Sequence, residues 1–406
     1  SGVVSGAGSD LVLLPAPGGA VSLGNLRVAG DLTLATSGAG VSQTGLLEVG
    51  GSTLISATGQ AITLGNTGND FSGPVTLSGA AVTIADTNAL QLALAASGSA
   101  SVTAGTALDL SGSVSGAGHS LTLSAGSATL GATSVSGGLT ITTTGSLSQS
   151  GALVVGGTTT LDAGSTLTLD HAANVFAQAV SLRAGAQSQF RDSGALDMSL
   201  NTSADVTVVS GGALTLSSAT STGRLSVSSA GAFSAGALDL AALTLQSAGA
   251  VTQSASWRVG GTSTVNAAGQ AVTLESSAND FTGPLTVTAR TLSLRDANSL
   301  SLQLNASGDV NVRAVGQLSL SGSVSGEGSD LILSAAAVSQ VTSLSVSGTT
   351  QISAAGGSVA LARADNDFAG AVTVSSASLS LRDASDLDLQ LNTTGDTQLT
   401  VAGGLQ

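Results

Sequence analysis

Carboxylates are the residues of this chain most suited to chemistry: 21 Asp and 3 Glu stand beside two His and ten Arg, with no Cys and no Lys. Glycoside hydrolysis needs two carboxyls about 5 to 9.5 Å apart. A catalytic pair is needed once, but here the carboxylates recur. Asp70, Asp280 and Asp367 each stand in Asn-Asp-Phe, and Asp192, Asp296 and Asp383 each follow Arg. Recurrence is the mark of structure, so a polysaccharide-active enzyme is the weaker reading and no catalytic residue is assigned. Arg191, Arg295 and Arg382 are too far apart for one small anion, roughly 20 to 25 Å by coil spacing. Solvated Arg-Asp pairs are expected instead.

The remaining candidates are thin. His119 and His171 occupy non-equivalent places, lack any Ser-His-Asp or metal-ligand spacing, and are expected on surface loops. GAGSDLVL from Gly6 and GEGSDLIL from Gly326 resemble a calcium-binding nonapeptide, but such sites need adjacent tandem copies, so a turn is expected. Neither a metal nor a cofactor is called for. Asn201-Thr202-Ser203, Asn305-Ala306-Ser307 and Asn392-Thr393-Thr394 match the N-glycosylation acceptor pattern. They fall at one point of a repeat, where a turn carrying a ladder of Asn is the simpler expectation.

These residues must be positioned by something other than a wide globular core. Of 406 residues 55 are Gly, only 2% are aromatic, and there is no Tyr; bulky core filler is missing. Yet 42% of the chain is hydrophobic, too much for disorder. The formal net charge of −14, with Arg scattered singly, argues against nucleic acid and anionic lipid surfaces as partners. No apolar run approaches the roughly 20 residues of a spanning helix, so membrane insertion is not expected. The opening Ser1-Gly2-Val3-Val4 carries no signal-peptide pattern, and the chain reads as a piece of something longer.

Repeats organise what remains. Three markers recur together: a Gln after an apolar strand (Gln43, Gln149, Gln253, Gln340), a Phe in Asn-Asp-Phe or Asn-Val-Phe (Phe71, Phe176, Phe281, Phe368), and an Ala-Asp or Arg-Asp strand about fifteen residues further on. The Phe residues are separated by 105, 105 and 87 residues. The coarse units are 1–40 (partial), 41–146, 147–250, 251–337 and 338–406 (partial). A solenoid tolerates the loss of one whole coil, which sets the fine repeat at about 18 to 22 residues. Within it, apolar and small polar residues alternate with a period of two, as in Leu121/Leu123 and Leu387/Leu389/Leu391, the pattern of strands with one buried face. Ser-Gly, Ala-Gly and Asn-Asp separate the runs.

The expected fold is all-β: a right-handed parallel β-helix, residues 1–406 forming one rod of some 19 to 20 coils. At about 4.8 Å per coil the rod would measure roughly 90 to 100 Å. The Gln series is expected to mark one corner and the Phe series another. Open edges at the terminal coils, beside Ser1 and Gln406, suggest end-to-end contacts.

The pattern NDFxGxVxVxxxxLxLRDAxxLxLQLN, with Ser/Gly-rich coils and VxQ strands, resembles the stem repeats of filamentous-haemagglutinin-like exoproteins of two-partner secretion. The likeness runs along the whole chain, although the family's N-terminal secretion domain has no counterpart here. It implies an exported stem on the bacterial cell surface, passed unfolded through an outer-membrane partner barrel and holding a distal adhesive or toxic tip. A self-assembling phage or matrix fibre and a polysaccharide-active β-helix enzyme are the alternatives. The receptor or glycan bound is not legible.

Overall fold

The computed structural model describes residues 2–406, without the side chain of Ala355; Ser1, named above for its terminal coil, lies outside the described residues. Strands are the only regular elements among these residues, and no helix is present. They pair in parallel and stack as a β-solenoid of about 20 turns. The chain divides into two compact units, Ser1–Ala204 and Asp205–Gln406, each stacked in this way.

Alternation in the sequence becomes alternation of burial. The strand Leu90–Ala96 reads LQLALAA, with Leu90, Leu92, Leu94 and Ala96 inside and the residues between them outside. Inward side chains pile into columns. In the first unit Leu11, Leu32, Thr53, Val75, Leu92 and Leu110 follow one another in register. In the second, Val206, Leu225, Leu243, Ser263, Leu285, Leu302 and Leu320 do so. Burying each Leu or Val contributes roughly 1.5 to 3 kcal/mol. Leu302 is only 2% exposed, as its place in the pattern requires, whereas Leu389 is half-buried.

The steps along these columns run from 17 to 22 residues, one shorter at the low end than the sequence suggested. The registers also locate the missing coil. In the first unit Leu121 pairs with Leu139 and Leu139 with Thr159. In the second, Leu331 pairs directly with Thr350. The counterpart of the Leu139 rung is absent and the neighbouring rungs close over the gap.

Two expectations about outward residues are corrected. Asn201, Asn305 and Asn392 lie within the strands Leu196–Thr202, Leu300–Ala306 and Leu389–Thr393, not in turns. They form no ladder with one another: Asn201 faces Arg183, Asn305 faces Thr288 and Ser323, and Asn392 faces Ser375. For Asn201 and Asn305 the cause is the alternation that puts them on the exposed phase of a strand whose first, third and fifth residues are core. The Gly6, Gly116 and Gly326 segments are turns as expected, each closed by a carbonyl accepting from the N–H of Ser9, His119 or Ser329. Asp10 and Asp330 direct a carboxylate oxygen to backbone N–H groups of the next rung, those of Asp31 and Thr349, at 2.8 Å.

Candidate functional site

Four buried polar nodes stand out, one in each coarse unit from residue 41 onward, built from the recurring markers. In the first, Asn69 is fully buried where the turn after Leu64 enters the short strand Asp70–Phe71. Its amide pairs reciprocally with Gln43: Nε2 of Gln43 donates to Oδ1 of Asn69 at 2.8 Å, and Nδ2 of Asn69 donates to Oε1 of Gln43 at 3.0 Å. Nδ2 also donates to the carbonyls of Leu64 and Ala85. Oδ1 accepts the backbone N–H of Leu47 at 3.1 Å. One side chain thus satisfies backbone groups of three different strands, which a buried amide must do to avoid a penalty of about 1 to 3 kcal/mol per unpaired group.

The same arrangement returns at Gln149 with Asn174, Gln253 with Asn279, and Gln340 with Asn366. The Gln-to-Asn donation measures 2.9, 2.8 and 2.7 Å. Oδ1 of each Asn accepts the N–H of Leu153, Trp257 or Leu344. The Gln side chain reaches two residues ahead to the carbonyl of Gly45, Gly151, Ala255 or Thr342.

An aspartate completes each node and corrects the expected solvated Arg-Asp pairs. Asp86, Asp192, Asp296 and Asp383 are 1 to 3% exposed. Each accepts the N–H of the marker Phe in the rung beneath, at 2.9, 2.8, 2.9 and 3.2 Å. The first three accept a second backbone N–H two residues ahead, from Asn88, Gly194 or Asn298, and Asp383 accepts that of Ala384. None forms an ion pair: among the described residues these join only Arg27 to Glu48 and Arg183 to Asp162. In an alternating strand, Arg and the following Asp point to opposite faces, so they cannot pair with each other. Burial pushes the carboxyls of Asp86, Asp296 and Asp383 above the ordinary value of 3.8; the backbone donors oppose this, and Asp70, Asp280 or Asp367 nearby adds to it.

The nodes do not share a corner, as the Gln series was expected to. Thr53 and Thr159 are equivalent in sequence, but Thr159 stands in the column of Val41, Ile62, Val82, Ala100, Leu121 and Leu139. That column passes through Val41, in the strand that carries the Gln of the preceding node. Within the second unit Thr350 likewise joins Val251, Val272, Leu292, Val310 and Leu331, not the column of Ser263. Within each unit the step from one node to the next is therefore a non-integral number of rungs and advances the node by one face. The short copy obeys the same phase because the lost segment is a whole turn.

Each of the four node-bearing copies also buries a hydroxyl at the first residue of a strand: Thr53, Thr159, Ser263 and Thr350, none of which has a hydrogen-bond partner. The lone Trp257 fills the place held by Leu47, Leu153 and Leu344, its ring edge-on to Phe233 at 6.0 Å. His119 is half-buried and His171 exposed, both in loops. Among the described residues no three His, Cys, Asp or Glu cluster to hold a metal. The sequence supplied every member of the nodes as a repeat marker, but not their contact. The signal was the constant offset from Gln to Asn of 25 or 26 residues, one rung plus a turn.

A family model described as repeats of unknown function (DUF5649) matches residues 9–78, 118–183, 222–288 and 325–375, together more than half of the chain. Each match spans one Gln-Asn pair with its Phe, and stops short of the Asp that completes the node. Neither the curated proteins nor the solved structures contain a match.

Proposed function

We propose, from the premise that this chain belongs to the DUF5649 repeat family, that it is a structural stem: a spacer segment of a large exported bacterial surface protein, presenting a distal binding or toxin region. One observation carries the reading. The buried polar side chains that recur with the repeat, the Gln, the Asn and the second Asp of each node, are engaged in satisfying backbone groups of adjacent rungs, while Asp70, Asp280 and Asp367 sit nearer the surface and accept from the hydroxyls of Ser72, Thr282 and Ser385. A polar group bonded on every side by its own fold has no lone pair or proton to offer a substrate. What the repeat supplies is stacking, with each rung resting on its neighbours, the property a spacer needs. Low contact order within such a stack suits a chain that folds coil upon coil after export. The likeness to two-partner-secretion stems supports the surface location and an outer-membrane partner.

Antibody labelling of intact cells of the source organism tests the reading, together with incubation of the purified chain with a panel of acidic and neutral polysaccharides. Labelling of unbroken cells and no release of reducing or unsaturated ends are expected. Labelling only after lysis, or turnover of any polysaccharide, would overturn it.

A further inference from the structure

The third copy carries a feature that does not recur. On the outer face of the strand Leu285–Asp296, Arg295 lies directly opposite Arg313 of the strand Val310–Ala314. Neighbouring strands are about 4.8 Å apart, and like charges placed opposite one another destabilise a sheet. Neither guanidinium has a carboxylate partner within ion-pair distance among the described residues. Neither Glu275, which accepts a hydrogen bond from the hydroxyl of Ser293, nor Asp296, which is turned inward to accept two backbone N–H groups, closes an ion pair with them. At two equivalent places the second Arg is missing, for Ala85 faces Thr103 and Arg382 faces Thr400. Structural elements of this chain recur with the period, so an unrecurring and uncompensated cation pair calls for another explanation.

Arg295 and Arg313 both line a cavity of about 220 Å³ whose lining also includes Ser277, Asp296, Val315 and Ser334. Ser334 stands opposite Arg313 on the next rung. Two Arg side chains placed opposite each other on adjacent rungs and lining the same cavity are within reach of a single tetrahedral oxyanion, to which each fork can give a charge-assisted bidentate contact. Ser277 and Ser334 add hydroxyl-bearing side chains to the same lining. We propose that Arg295 and Arg313 form a binding site for a tetrahedral oxyanion of the phosphate class, free or as a monoester. The site lies directly above the third node, whose Asn279 donates to the carbonyl of Arg295 at 3.1 Å, so occupancy stabilises that node. It is independent of the stem reading and survives that reading's failure.

Calorimetric titration and thermal melting of the full chain with inorganic phosphate, glucose 6-phosphate and glucose test the site at low ionic strength. Saturable binding of one or both phosphates is expected, with a raised melting temperature and no response to glucose. The tighter of the two names the source: free anion or ester. Arg313→Gln is expected to weaken binding at least tenfold, Arg313→Lys less, and Arg258→Gln, on a different strand, not at all. Arg313 is exposed on its strand, so circular dichroism of the variants should match the parent; should Arg313→Gln fail to fold, Arg313→Lys carries the comparison. No saturable binding of either phosphate, or affinity unchanged in the Arg313 variants, would refute the site.

Discussion

Replacing Asn279 by Ala strips the third node of its centre. The side chain donates to Oε1 of Gln253 at 2.9 Å and to the carbonyls of Leu274 and Arg295 at 3.1 Å, and accepts from Nε2 of Gln253 at 2.8 Å and from the N–H of Trp257 at 2.9 Å. Alanine leaves three buried backbone groups without partners, at about 1 to 3 kcal/mol each. The vacated space has room for about one water, which re-pairs part of the set. The expected loss is therefore about 3 to 5 kcal/mol. For a unit of this size that lowers the melting temperature by roughly 6 to 20 °C. Trp257 is the only Trp in the chain and is fully buried, so its fluorescence during urea unfolding reports this node directly. Asn305→Ala, on an exposed strand face, is the control and should change little. A loss below about 1 kcal/mol at Asn279, or one no larger than at Asn305, would refute the reasoning.

Thr53→Val, Thr159→Val and Thr350→Val each remove an unpaired buried hydroxyl for a side chain of the same shape. Each should raise stability by about 1 kcal/mol, read from thermal melts; destabilisation would mean the hydroxyl has a partner. Gly322→Ala should be strongly destabilising: φ is 117° and an added Cβ would fall 1.8 Å from the carbonyl oxygen of Leu304, whereas Gly328→Ala meets no atom within 4 Å and suffers only its positive φ, at about 1 to 2 kcal/mol. A denaturation series in which both cost the same would contradict the close approach. Asp86, Asp296 and Asp383 carry folded-state pKa values above 3.8 because burial disfavours the anion. A raised acid binds protons more readily when folded, so its ionisation opposes folding at neutral pH. That penalty is relieved as pH falls through the raised values and is fully gone below 3.8. The melting temperature should rise as pH is lowered through the range just above 3.8, and a fall attributable to these carboxyls over that range would contradict the direction.

Much of the fold was legible because a solenoid writes its architecture into short-range pattern. Period-two runs such as Leu90 to Ala96 name both the strand and its inner face, and the 87-residue interval revealed the missing rung without any coordinates. What the pattern could not convey was where equivalent residues stand around the axis. Gln43 and Gln149 look interchangeable in the sequence, but a copy that is not a whole number of rungs moves the second to the next face. The arginine-aspartate step misled for a related reason. Adjacent residues in a strand face opposite ways, so Asp296 is drawn into the node while Arg295 stays outside beside Arg313, a neighbour 18 residues away. The sequons misled because Asn305 continues the alternation of Leu300 to Leu304, and a three-residue motif gives no hint that the strand extends through it.

Amide hydrogen exchange, resolved by residue, is the most direct examination of whether the recurring polar residues hold the rungs together. The N–H groups of Leu47, Leu153, Trp257 and Leu344, bonded to the node asparagines, should exchange among the slowest in the chain, alongside those of Phe71, Phe176, Phe281 and Phe368. Exchange of these eight at the rate of exposed turn amides would show that the nodes are not closed, and the structural account of the repeat would fall.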